Sequence, residues 1–105
     1  MNRDEFYLEH IIECIDRIVA FSEADRERFF GEPIVQDAIL RNLQVLAEST
    51  TRISDELILK HPEVSWRELR AFRNILVHDY FGLDLEQIWS IIEQDVPTLR
   101  SSITN

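Results

Sequence analysis

The sequence predicts an all-α fold, a four-helix up-down bundle with a short extra helical turn between the first and second helices. Three observations carry this. Apolar residues recur at three- and four-residue intervals through four long stretches, the spacing of one face of an α-helix. Glycine and proline are scarce, two and three in 105 residues, too few for the many turns of a β-rich chain. The joints between the periodic stretches are short and carry helix start and stop signals. A chain of this length can bury one core, and residues 1–105 read as a single domain without repeats or linkers.

The first helix is expected from Asp4 to about Ser22, with Tyr7, Ile11, Ile15, Ile18 and Val19 on its apolar stripe. Cys14 reads as a small packing residue, and with His10 it makes too few ligands for a metal. Glu23 to Gly31 is a charged connector with a helical turn around Phe29 and Phe30. Pro33 suits the first position of the second helix, which is expected to continue to about Lys60. Its stripe is Val35, Ala38, Ile39, Asn42, Val45, Leu46, Ser49, Ile53 and Leu57. His61-Pro62 ends it, because the residue before a proline is pushed out of the helical region, and His61 reads as a solvated loop residue. The third helix opens on the capping box Ser65-Trp66-Arg67-Glu68 and stops at Gly82. The fourth begins at Asp84 and turns Leu85, Ile88, Trp89, Ile92, Val96 and Leu99 inward, with Pro97 expected to kink or end it.

Composition narrows the function. No signal peptide and no apolar run of about 18 residues is visible, so the expectation is a cytoplasmic protein without a membrane partner. A lone cysteine forms no internal disulfide. The net charge of −9 argues against nonspecific attraction to nucleic acid. The distribution tempers that: residues 1–32 carry four basic and nine acidic side chains, whereas residues 63–82 carry three of each. A locally cationic sector on an acidic body suits a selective phosphate site, and the acidic faces suit a basic protein partner.

That sector is the third helix, which carries Arg67, Arg70 and Arg73 and ends in the stretch Arg73-Asn74-Ile75-Leu76-Val77-His78-Asp79-Tyr80. On an ideal helical wheel Arg73 falls among Leu69, Leu76, Val77 and Tyr80, on the apolar side. A guanidinium there needs a carboxylate, a phosphate or a groove. Arg73 and His78 lie about 140° apart, whereas Asn74 and His78 share a face. Either the last turn loosens before Gly82, or a second copy of the helix supplies the missing face. A purely structural account is also available: Arg73 pairs with a carboxylate such as Glu48, His78 sits at the cation-favouring helix C-terminus, and Tyr80 packs in the core.

The pattern Arg-x4-His-x-Tyr resembles the motif of HEPN-domain proteins, specifically the HepT toxins encoded beside a minimal nucleotidyltransferase. The resemblance extends to Leu40-Arg41-Asn42-Leu43, to Pro62 followed by Trp66, and to Asp84, Ile88-Trp89 and Val96-Pro97-Thr98-Leu99. Ala47-Glu48-Ser49 stands where the family commonly has glycine-glutamate-alanine. The resemblance implies a homodimeric, metal-independent endoribonuclease without a cofactor, acting on RNA as a toxin. It also implies an antitoxin, a minimal nucleotidyltransferase that adds AMP to the motif tyrosine. Carried over residue by residue, Arg73 and His78 are catalytic, Asn74 and Asp79 support them, and Tyr80 is modified. Arg67 and Arg70, on the polar sector of the same helix, are expected to bind RNA phosphate.

The chemistry is coherent. RNA carries its own nucleophile in the 2′-hydroxyl, imidazole exchanges protons near neutral pH, and a guanidinium can hold the phosphoryl oxygens as charge grows on them. Two other readings stand beside this one. A non-catalytic nucleotide- or substrate-binding subunit of a nucleotidyltransferase would use the same residues for phosphate alone. A structural dimeric bundle would use them for neither.

Overall fold

The computed structural model describes residues 2–22, 25–78 and 82–104, and the regular secondary structure among them is entirely helical. The elements are α1 (Arg3–Ser22), α2 (Arg26–Gly31), α3 (Pro33–Thr50), α4 (Asp55–Lys60), α5 (Trp66–His78), α6 (Leu85–Ser90), a π-helical turn (Ile91–Asp95) and α7 (Val96–Thr104). Helix α3 packs chiefly on α1 and α5, which makes it the spine of the expected bundle.

In α1 the buried face is Ile11, Cys14, Ile15, Ile18 and Ser22. Val19, expected inside, is half-exposed because it lies a third of a turn from Ile18, and Ser22 takes the inward position. The expected helical turn is α2, capped by Asp25, whose carboxylate accepts from the Arg28 backbone N–H at 3.1 Å. It plugs the bundle with Phe29, fully buried and 5.5 Å from the Trp89 ring. Since α3 faces two neighbours, its buried set is wider than one stripe and includes Leu40, Leu43, Ala47 and Thr50.

The second helix does not run to Lys60. It ends at Thr50, and α4 is separate. The hydroxyls of Ser49, Thr50 and Thr51 donate to the carbonyls of Val45, Ala47 and Glu48 at 2.9, 2.6 and 2.6 Å, competing with the backbone in the last turn. Ser54 then starts α4, its Oγ accepting from the Leu57 N–H at 3.2 Å. Asp4 anchors that corner from α1 by accepting from the Ser54 N–H at 3.0 Å and hydroxyl at 2.6 Å. The Ser54 hydroxyl bond holds the Asp4 carboxyl below its ordinary range.

Two further expectations are corrected. His61 is not solvated: its Nδ1 is 2.8 Å from Ser102 Oγ, and its carbonyl accepts from Trp66 Nε1 at 3.0 Å, so it ties the α4–α5 joint to α7. Pro97 does not end the last helix. The Val96 N–H reaches back five residues to the Ile91 carbonyl, and this π turn gives the chain room for a residue that lacks an N–H and crowds the preceding turn.

Candidate functional site

Helix α5 turns Trp66, Leu69, Phe72 and Leu76 into the core. Arg73 lies on the flank of that face with its side chain 32% exposed. Its Nε donates to Glu48 Oε2 at 2.7 Å and its Nη1 to Asn74 Oδ1 at 3.1 Å. Arg52 stands on the other carboxylate oxygen of Glu48, with Nη2 at 3.6 Å. The Arg73 hydrogen bond, helped by the charges of Arg73 and Arg52, holds the Glu48 carboxyl below its ordinary range. A guanidinium has five N–H groups. Two are fixed here, so the Nη edge retains donors for an incoming anion while Glu48 and Asn74 hold the plane in place.

The other expected site residues fall differently. Asn74 and His78 are exposed, one turn apart on α5. No hydrogen bond joins His78 to Arg73 among the described residues, and His78 does not border the cavity that Arg73 lines. Arg67 is exposed near the start of α5. Arg70 is committed to structure: its Nε and Nη2 donate to the Thr50 carbonyl at 3.3 and 3.1 Å, and Nη2 also reaches the Ile53 carbonyl at 3.4 Å. It closes the end of α3, where carbonyls lack helical partners. Asp79 and Tyr80 lie outside the described residues.

Two grooves flank α5, and their chemistry differs. One, of about 530 Å³, runs along α1, α3 and α5 and is lined by Tyr7, Arg41, Gln44, Glu48, Arg52 and Arg73 among others. Its sequence signal was present, since Glu48 and Arg52 each fall within about 20° of Arg41 on an ideal helix. The other, of about 370 Å³, lies between α5 and the last helical run and includes Ala71, Phe72, Ile75 and Ile91 with Glu68 and Asp95. Burial pushes the Asp95 carboxyl up, and the charge of Glu68 adds to it. The first groove suits phosphate; the second is apolar and acidic. Among the described residues no cluster of three or more His, Cys, Asp or Glu is placed to hold a metal ion, and no helix is long and apolar enough to cross a membrane.

The profile of the ribonuclease HepT-like family matches residues 11–105. The chain belongs to that family. Its relatives include a protein of Thermococcus cleftensis named probable ribonuclease HepT, 36% identical over 95 residues that cover 90% of this chain and 86% of the relative. A protein of Caldanaerobacter subterraneus subsp. tengcongensis, named as a putative RNase, is 34% identical over 92% of this chain and 88% of its own length. A longer protein of Methanocaldococcus jannaschii, named gamma-glutamylcyclotransferase and putative RNase, is 32% identical over 98% of this chain. The chain spans about half of that relative, 47% of its length. No solved structure matches the chain. Membership places Arg73, Asn74 and Glu48 within the matched region, so the constellation belongs to the part of the chain that the family shares.

Proposed function

We propose that this protein is a metal-independent endoribonuclease and the toxin of a toxin–antitoxin pair. The observation that carries the reading is the Arg73 guanidinium, fixed by Glu48 and Asn74 on the wall of a groove. The names of the family and of its relatives support RNA as the substrate. In the reaction, His78 takes the proton of a 2′-hydroxyl and the freed oxygen attacks the adjacent phosphorus. The bond to the 5′-oxygen breaks, leaving a 2′,3′-cyclic phosphate and a 5′-hydroxyl. Arg73 stabilises the negative charge that gathers on the phosphoryl oxygens. Cleavage of total or transfer RNA by the purified protein in excess chelator is the test. The runner-up is a nucleotide- or substrate-binding subunit, favoured for a single copy because His78 and Arg73 share no cavity there; it predicts RNA binding without cleavage.

The same separation supports a homodimer. A two-fold axis near α5 brings Arg73 of one copy toward His78 of the other, and one imidazole can then accept the 2′-proton while its mate protonates the leaving oxygen. The face offered is the apolar groove, where Ala71 is exposed and Ile75 half-buried.

Regulation is assigned to Tyr80 by the resemblance, through AMP transferred from a minimal nucleotidyltransferase antitoxin. A phosphodiester there would add a negative charge two residues after His78 and repel incoming RNA phosphate. Protein produced together with its nucleotidyltransferase should carry AMP on Tyr80 by peptide mass spectrometry. AMP found only on Tyr7, or on no tyrosine, removes Tyr80 from this role.

A further inference from the structure

We propose that the groove along α1, α3 and α5 is the track for a single RNA strand, with Arg41 and Arg52 of the α3 side as phosphate contacts on either side of Arg73. The inference rests on the ribonuclease reading and adds to it the residues that hold the substrate away from the cut.

Arg41 is exposed and makes no ion pair or hydrogen bond among the described residues, although an acidic chain offers many carboxylates. Arg52 is 51% exposed and touches Glu48 only at 3.6 Å. The groove carries three guanidiniums against one carboxylate, on a chain whose net charge is −9. That local reversal is what phosphate binding needs on a body that repels nucleic acid elsewhere. Gln44, between the two arginines, adds an amide that can donate or accept, and Tyr7 adds a phenol from α1.

Geometry selects a polymer over a free nucleotide. Arg41 and Glu48 are separated by about 10 Å of helix, and Arg52 lies a turn further on, so one phosphate cannot engage both arginines. Beyond Arg52 the cationic excess is lost, because the adjoining cavity sets Asp4, Asp55 and Glu56 against Arg3 and Arg52, and the track ends there. A single strand suits the chemistry too. Attack by a 2′-oxygen in line with the departing 5′-oxygen requires a backbone freed from the regular A-form helix, and RNA-specific contacts concentrate on unpaired segments.

The test uses a fluorescein-labelled 2′-O-methyl RNA strand, which cannot be cut, and measures binding by anisotropy over a salt series. Arg41→Gln and Arg52→Gln should each weaken binding several-fold and lower the log–log salt slope by about 0.7, the increment for one single-strand phosphate. Arg41→Lys should recover most of the affinity and also guards against a misfolded glutamine variant. Arg17→Gln, an exposed change on α1 away from the groove, should behave as wild type. Wild-type affinity and slope in both glutamine variants would overturn the track, as would a wild-type protein that ignores the strand. Arg41-dependent binding of polyglutamate without RNA binding would also overturn it, in favour of an acidic protein partner. The two readings fail separately. If cleavable RNA is bound through Arg41 yet never cut, the ribonuclease reading falls and the track stands. If RNA is cut but KM is indifferent to both arginines, the track alone falls.

Discussion

His78→Ala protein should fold normally and lose RNA cleavage by about 10²–10⁴-fold, the range that a positioned proton-transfer group supplies. His78 is exposed and makes no hydrogen bond among the described residues, so its loss should change stability by no more than about 0.5 kcal/mol. Arg73→Ala should lower cleavage by about 10²–10³-fold, as for loss of a donor aimed at developing charge. It should cost little stability, since the Arg73–Glu48 pair is partly solvated and such pairs contribute about 0–1 kcal/mol. Its signature is in the pH dependence. Glu48 is held below its ordinary value of 4.5 in the folded protein, so its contribution is complete above that value. The contribution disappears as pH falls through the lower folded value. Wild type should lose this increment on acidification, and Arg73→Ala should lose less, because only Arg52 then lowers the Glu48 carboxyl. Circular dichroism melts with a cleavage assay check both halves, and wild-type cleavage by folded His78→Ala protein would sink the catalytic assignment.

Ile75→Glu should convert a dimer into a 12.5 kDa monomer and remove about 100-fold or more of the activity, the scale of a misplaced catalytic group. The substitution adds a carboxylate to a groove that already holds Glu68 and Asp95, where two facing copies would bring the like charges together. Ile75 is only half-buried in one copy, so the bundle itself should survive. Sedimentation and cleavage are read together. A monomeric Ile75→Glu protein that cuts RNA as wild type does would contradict a site shared between copies, and a wild-type monomer would contradict the dimer outright.

The long helices were legible because burial leaves a periodic trace: Ile11, Ile15 and Ile18, or Ile88, Ile92 and Leu99, mark their faces without help. The break after Thr50 was not. The stripe ran on through Ser49, Ile53 and Leu57, whereas the break depends on the hydroxyls of Ser49, Thr50 and Thr51 turning back on the last carbonyls and on Asp4, fifty residues away, accepting from Ser54. His61 was misread for the same reason, because its partner Ser102 belongs to another helix. Arg73 shows where local reasoning succeeds. A guanidinium among apolar residues called for a carboxylate, a phosphate or a groove, and Glu48, the partner named in the purely structural account, accepts from it at 2.7 Å. Arg70 shows where it stops: its wheel position offered it to phosphate, but the unpartnered carbonyls of α3 claim it.

The most direct measurement is cleavage, in excess chelator, of one RNA strand beside the same strand with a single 2′-deoxy nucleotide at the mapped cut. The account predicts that the all-RNA strand is cut to a 2′,3′-cyclic phosphate and a 5′-hydroxyl, and that the 2′-deoxy position is left whole. Equal cleavage of both strands would contradict attack by the 2′-hydroxyl, and cleavage that appears only when a divalent metal is restored would contradict the metal-independent role given to Arg73 and His78.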